Sequence, residues 1–174
     1  MKTYDFQLKY SLPEDSQNSE ALVEQLGEAG CTDALVGIGQ TGRIAIHFNR
    51  EAHSAFEAVL SAVKHVKQAI PKARLIEASP DLVGLSDIAD LLGYSRQNIR
   101  KLMMNNLASF PTPVHESKMM LWHLSSILAW VKEGNRYQVD EQLQDIANTN
   151  MQLNIAKEAI RLDPSIQKQL LAGI

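Results

Sequence analysis

The chain has 174 residues, 45% of them hydrophobic, with 17 Lys and Arg against 20 Asp and Glu, a formal net charge of −3. A chain of this length buries about 70% of its unfolded surface on folding, which suffices for one large domain or two small ones. No apolar run approaches the roughly 18 residues of a membrane span and the first residues, Met1 to Gln7, form no apolar signal core, so no membrane partner and a cytoplasmic location are expected, where the single Cys31 stays a thiol.

From Tyr4 to Tyr10 the chain places Tyr, Phe, Leu and Tyr at alternate positions, the pattern of a half-buried strand. A loop from Leu12 to Asn18, holding Pro13, Glu14 and Asp15, ends it. Ser19 then opens a helix with Ala21, Leu22, Leu26 and Ala29 on one face, and Gly30 closes it. Ala34 to Ile38 and Arg43 to Phe48 read as strands joined by a hairpin turn at Gly39-Gln-Thr-Gly42. A helix from about Ser54 to Ile70 is expected to bury Phe56, Val59, Leu60, Val63 and Val66, and Arg74 to Ala78 makes a last strand. The order strand, helix, strand, strand, helix, strand predicts a ferredoxin-like split βαβ domain over residues 1–80. Many functions share that plan, so a protein, a small-molecule ligand or a second copy are all open partners for it.

Gly37-Ile-Gly-Gln-Thr-Gly42 matches the dinucleotide-binding pattern G-x-G-x-x-G. That pattern works only when a helix follows, so that its N-terminus faces the pyrophosphate. Here an alternating strand follows, and the glycines are assigned to the hairpin.

Ser79-Pro80-Asp81 reads as a short linker into the stretch from Leu85 to Met104, which forms two short helices about Gly93. Ser86 and Ser95 are the expected caps. Ile88, Ala89 and Leu92 would face Ile99, Leu102 and Met103, leaving Arg96, Gln97, Arg100 and Lys101 outward. Amides such as Gln97 and Asn98 pair with adenine, and arginines such as Arg96 and Arg100 fork onto guanine. Phe110 to Trp122 then reads as a hairpin wing with its tip at Glu116, Ser117 and Lys118, and Ser125 is expected to cap a helix carrying Ile127, Leu128, Trp130 and Val131.

Gly-Tyr-Ser-Arg-Gln-Asn-Ile-Arg-Lys-Leu, then Phe-Pro-x-Pro-Val, then Leu-Trp-His-Leu-Ser-Ser-Ile-Leu-Ala-Trp closely resembles the small winged helix-turn-helix DNA-binding domains of the AlpA, excisionase and MerR-like group, over residues 83–134. The resemblance implies double-stranded DNA as partner, with the second helix, opened by Ser95, in the major groove. It implies base contacts from Arg96, Gln97 and Arg100, beside Asn98, and phosphate contacts from Lys101, His115, Lys118 and His123. Wings of the group often carry arginine just after the tryptophan. His123 stands there instead, a residue only fractionally charged at neutral pH.

Charge by region agrees with that placement. Residues 82–135 carry 5 basic and 4 acidic residues, while residues 1–81 carry 8 and 11. A weakly basic patch on an acidic body calls for dimerisation to gain affinity. In residues 138–174, Val139, Ile146, Leu153 and Ile160 recur every seven residues, with Leu143 and Asn150 between, as in a coiled-coil seam. That seam is read as a dimer interface, with packing against the chain's own body as the alternative. Asp163-Pro164 ends this helix and starts a short last one ending near Leu171.

His47, His53, His65, His115 and His123 show no ligand spacing with one another or with Cys31, and no nucleophile elbow or phosphate loop occurs. No enzyme, metal or cofactor is therefore expected. The fold class is α+β: an N-terminal ferredoxin-like βαββαβ domain, a central winged helix-turn-helix and a C-terminal helical arm. The function expected is that of a dimeric, nucleoid-associated transcriptional regulator. The alternatives are an excisionase-like DNA-bending factor and an interaction or ligand-sensing module with weak DNA binding.

Overall fold

The computed structural model describes residues 1–13, 19–134 and 137–174, so Glu14 and Asp15, expected in a loop, lie outside the described residues. The fold is mixed α+β. In chain order it comprises β1 (Lys2–Ser11), α1 (Ser19–Glu28), β2 (Ala34–Gly37), β3 (Arg43–Ala52), α2 (Ala55–Ala69), β4 (Arg74–Ser79), β5 (Leu82–Val83), α3 (Leu85–Leu92), α4 (Arg96–Asn105), β6 (Trp122–His123), α5 (Leu124–Glu133), α6 (Glu141–Ala159) and α7 (Pro164–Leu171).

The first four strands form one sheet in the order β2-β3-β1-β4, antiparallel at every pairing. Alternation along β1 and β3 turns Tyr4, Phe6, Leu8, Tyr10, Ile44, Ile46 and Phe48 to one face, where all are buried. Phe6 and Phe48 are register partners, and their rings stack at 5.2 Å. Each Leu or Ile fully buried in such a face contributes about 1.5–3 kcal/mol. The glycine-rich turn is a hairpin. Gly42 takes φ 74°, the Arg43 N–H donates to the Gln40 carbonyl, and β3 begins directly after it with no helix. Gly30 takes φ 99° where α1 ends, and a Cβ there would come within 2.9 Å of the His65 ring.

α2 starts where Ser54 accepts from the Glu57 N–H at 3.1 Å, and of its expected core residues Val59 and Val66 are buried and Val63 packs against the core, but Phe56 and Leu60 stay outside it. Ala55, Ala58, Val59, Ala62 and Val66 meet the sheet, while Phe56 is 65% and Leu60 37% exposed. The alanines let helix and sheet approach closely, and this outweighs the greater bulk of Phe56 and Leu60.

A second core gathers Val83, Ile88, Ala89, Ile99, Met103, Phe110, Trp122, Leu128 and Trp130. α6 joins the two cores. Ile146 packs in the first, Ala147 in the second, and Leu143 touches both. The heptad positions read as a dimer seam are thus used within the chain. Val139, Leu143, Ile146 and Leu153 pack on its own cores, Asn150 is fully buried with its Nδ2 donating to the Pro80 carbonyl at 3.2 Å, and of the six residues only Ile160 is left outside, 84% exposed. A seam closed by its own sheet and helices has no face left for a partner helix.

Residues 79–81, expected as a linker, are clamped. Asn154 pairs with both backbone groups of Ala78 and donates to Asp81 Oδ2 at 2.7 Å, His123 Nδ1 lies 2.7 Å from Asp81 Oδ1, and the Asp81 carbonyl accepts from the Leu124 N–H at 2.7 Å. Ser125 does not cap α5. It lies buried inside the first turn with its hydroxyl toward Met151 Sδ at 3.2 Å, and α5 starts after His123 without a side-chain cap.

Candidate nucleic-acid interface

α3 and α4 pack through Ile88, Ala89, Ile99 and Met103, all buried, with Leu92 and Leu102 at the margin. Ala89 is the small residue that lets them cross. The cap of α3 is not Ser86 but the backbone at Gly84, whose N–H donates to Asp87 Oδ2 at 2.8 Å. Gly93 ends the helix at φ 71°, a left-handed conformation that costs a residue with a Cβ about 1 kcal/mol or more. Ser95 then caps α4 by accepting from the Asn98 N–H at 3.2 Å. A glycine turn followed at once by a capped helix fixes the direction in which α4 leaves.

That direction determines which side chains face out. With Ile99 and Met103 buried, Arg96, Gln97, Asn98, Arg100 and Lys101 are all exposed, as is Ser95. Gln97, Arg100 and Lys101 stand three and four residues apart, so they share one stripe. The stripe continues to Met104, 54% exposed. Met104 escaped sequence reading because a methionine in an apolar pattern is taken for core. The signal was its spacing of seven from Gln97. An apolar side chain there suits the methyl group of thymine.

The wing is a minimal hairpin. β5 and β6 pair antiparallel at its base, and above them the Val114 N–H donates to the Leu121 carbonyl at 2.7 Å and the Leu121 N–H to the His115 carbonyl at 3.0 Å. The loop they close exposes Glu116, Ser117, Lys118 and Met119. His115 is exposed too, with Nε2 3.0 Å from the Ser117 hydroxyl. The base is anchored by Trp122, which is buried, donates from Nε1 to the Pro111 carbonyl at 2.9 Å and meets Phe110 edge-on. Wing and α4 therefore stand on one core.

His123 does not belong with them. Its side chain is only 18% exposed and its Nδ1 is engaged by the buried Asp81 carboxylate. Its partner is the junction between the two cores.

Away from this face, Arg50 is buried and forked onto Asp33 at 2.7 and 2.7 Å, with further bonds to the Ser61 hydroxyl and the Gly30 carbonyl. The hydrogen bonds from Arg50 hold the Asp33 carboxyl below the usual range against the opposing effect of burial, and burial pushes the nearby Cys31 thiol up more than Arg50 lowers it. Among the described residues no group of three His, Cys, Asp or Glu side chains is placed to hold a metal ion, and no helix is long and apolar enough to cross a membrane. Comparison of the chain with protein-family models, with curated proteins and with solved structures returns no match.

Proposed function

We propose that this chain is a sequence-specific double-stranded DNA-binding protein of the cytoplasm, acting at the nucleoid as a dimeric transcriptional regulator. On this reading residues 83–134 are a winged helix-turn-helix whose second helix reads the major groove, carried on a ferredoxin-like N-terminal domain. It works by binding, with no cofactor and no catalysed step. Gln97, Arg100 and Lys101 would meet base edges and phosphates, with Arg96 and Asn98 at the flanks, and His115 and Lys118 would hold the backbone from the wing.

The observation that carries the reading is the exposed stripe of Gln97, Arg100 and Lys101 on a helix whose start is set by Ser95 and Gly93. A helix that reads bases needs such a fixed origin, so that its exposed side chains meet the base edges in register. Selection of bound duplexes from a random pool tests it. One enriched site, arranged as an inverted repeat, is expected, and a pool with no enrichment overturns the reading. Position-dependent gel mobility of the selected site separates regulation from DNA bending.

A further inference from the structure

α7 has no residue buried, although Asp163 caps it well, accepting from the N–H groups of Ser165 and Ile166. Ile166, Leu170, Leu171 and Ile174 are 56, 66, 59 and 101% exposed. Helices shorter than about 12–15 residues are marginal by themselves in water, so an apolar helix of this length needs a cover.

Beside it opens a cleft of about 880 Å³ bounded by β4, α3 and the last turns of α6, with Gln167 of α7 at its edge. Leu82, Leu91, Val114, Ile155 and Leu162 line it and are each 41 to 55% exposed. Cleft and helix together show water nine large apolar side chains. The charges are complementary. In the cleft Glu77 and Glu158 are paired with Lys9 and Lys157, Asp81 is held by His123 and Asn154, and Asp87 and Asp90 remain as negative charge. From Pro164 to Ile174 the one charged side chain is Lys168.

We propose that α7 of a second copy fills this cleft, two copies exchanging their last helices about a twofold axis. Leu170 and Leu171 then pack on Leu91, Val114 and Ile155, and Lys168 faces Asp87 and Asp90. A twofold interface requires a surface that carries both halves of its own complement, and helix and cleft lie side by side on this chain. The inference deepens the proposed function, whose two half-sites call for two copies, but it is read without DNA.

Sedimentation equilibrium of the full chain tests it. A dimer is expected for the wild type, and a monomer with unchanged far-ultraviolet dichroism for the chain carrying Leu170→Asp and Leu171→Asp. Should that chain fold poorly, Ile166→Asp serves the same purpose. Lys168→Glu is expected to weaken the dimer about tenfold, and adding Asp90→Lys to restore most of the loss. A wild-type monomer at about 100 μM, or a dimer indifferent to these changes, overturns the inference. A dimer that selects no DNA site ends the DNA reading alone, and a monomer that selects one ends this inference and the dimeric part of that reading while leaving its DNA recognition standing.

Discussion

The Asn154 side chain pairs with Ala78 as a neighbouring strand would, its Oδ1 accepting from the Ala78 N–H at 2.8 Å and its Nδ2 donating to the Ala78 carbonyl at 2.7 Å. β4 is the last strand of the sheet, and in an antiparallel ladder alternate residues turn both backbone groups to the outer edge. An open edge of that kind invites pairing with another chain. Here α6 closes it, and the same amide reaches on to Asp81 and so ties the edge to the second core.

Replacing Asn154 with Leu leaves the N–H and carbonyl of the buried Ala78 without partners and takes a donor from Asp81. A loss of about 1–3 kcal/mol is expected in urea unfolding. Asn154→Asp should lose more, since it keeps the acceptor but sets a second carboxylate against Asp81. Equal midpoints for wild type and Leu would show that the edge needs no cap.

Arg50 and Asp33 give stability a pH dependence. The folded Asp33 pKa lies below its unfolded value because Arg50 donates to the carboxylate, so the stabilisation is complete above the ordinary carboxylate value near 4 and is lost as pH falls through the folded value. Asp33→Ala is expected to flatten the acid side of the stability curve. At pH 7 it should cost about 3 kcal/mol, because a buried guanidinium is left without its counter-charge. An unchanged acid limb would assign the acid sensitivity to other carboxylates.

What was legible in the chain follows from what each signal depends on. The alternation of β1, the caps at Ser95 and Asp163 and the turn at Gly93 rest on a few neighbouring residues, and the structure has each of them where the local pattern puts it, whereas Ser86 and Ser125, equally local in pattern, do not cap. The heptad of α6 showed that a face is buried but not against what, since its own cores and a partner helix demand the same spacing. The asparagine read into the seam was Asn150, whereas the more consequential one, Asn154, sits off the seam and bonds a strand 76 residues away. In α2 the expected face holds at Val59, Val63 and Val66 and fails at Phe56 and Leu60, whose bulk dominates any reading, while contact with the sheet selects alanine.

That division makes a prediction of its own. Phe56→Ser should change stability by less than about 0.5 kcal/mol, and Ala58→Leu, which forces a large side chain between helix and sheet, should cost about 1–3 kcal/mol. The reverse order in thermal unfolding would return Phe56 to the core.

His123 and Lys118 should separate by readout. His123→Ala removes the partner of a buried carboxylate and is expected to lower stability by about 1–3 kcal/mol while leaving the salt dependence of DNA binding unaltered. Lys118→Ala should do the opposite, leaving the fold intact and reducing the slope of log affinity against log salt by about one. A flattened slope for His123→Ala would give the histidine back its phosphate.

On the selected DNA site, Gln97→Ala and Arg100→Ala are each expected to cost about 1–3 kcal/mol and to relax preference at one base pair. The two should differ on random duplex. Gln97 is neutral, so its loss leaves non-specific affinity and the salt slope where they were, whereas Arg100 contributes its charge to both. Met104→Ala tests the far end of the stripe. If Met104 contacts a thymine methyl, the loss should appear only on sites with thymine at that position and vanish when uracil replaces it, because the two bases differ there by that methyl group alone. Equal losses on selected and random DNA for Gln97→Ala would mean that the stripe holds the duplex without reading it.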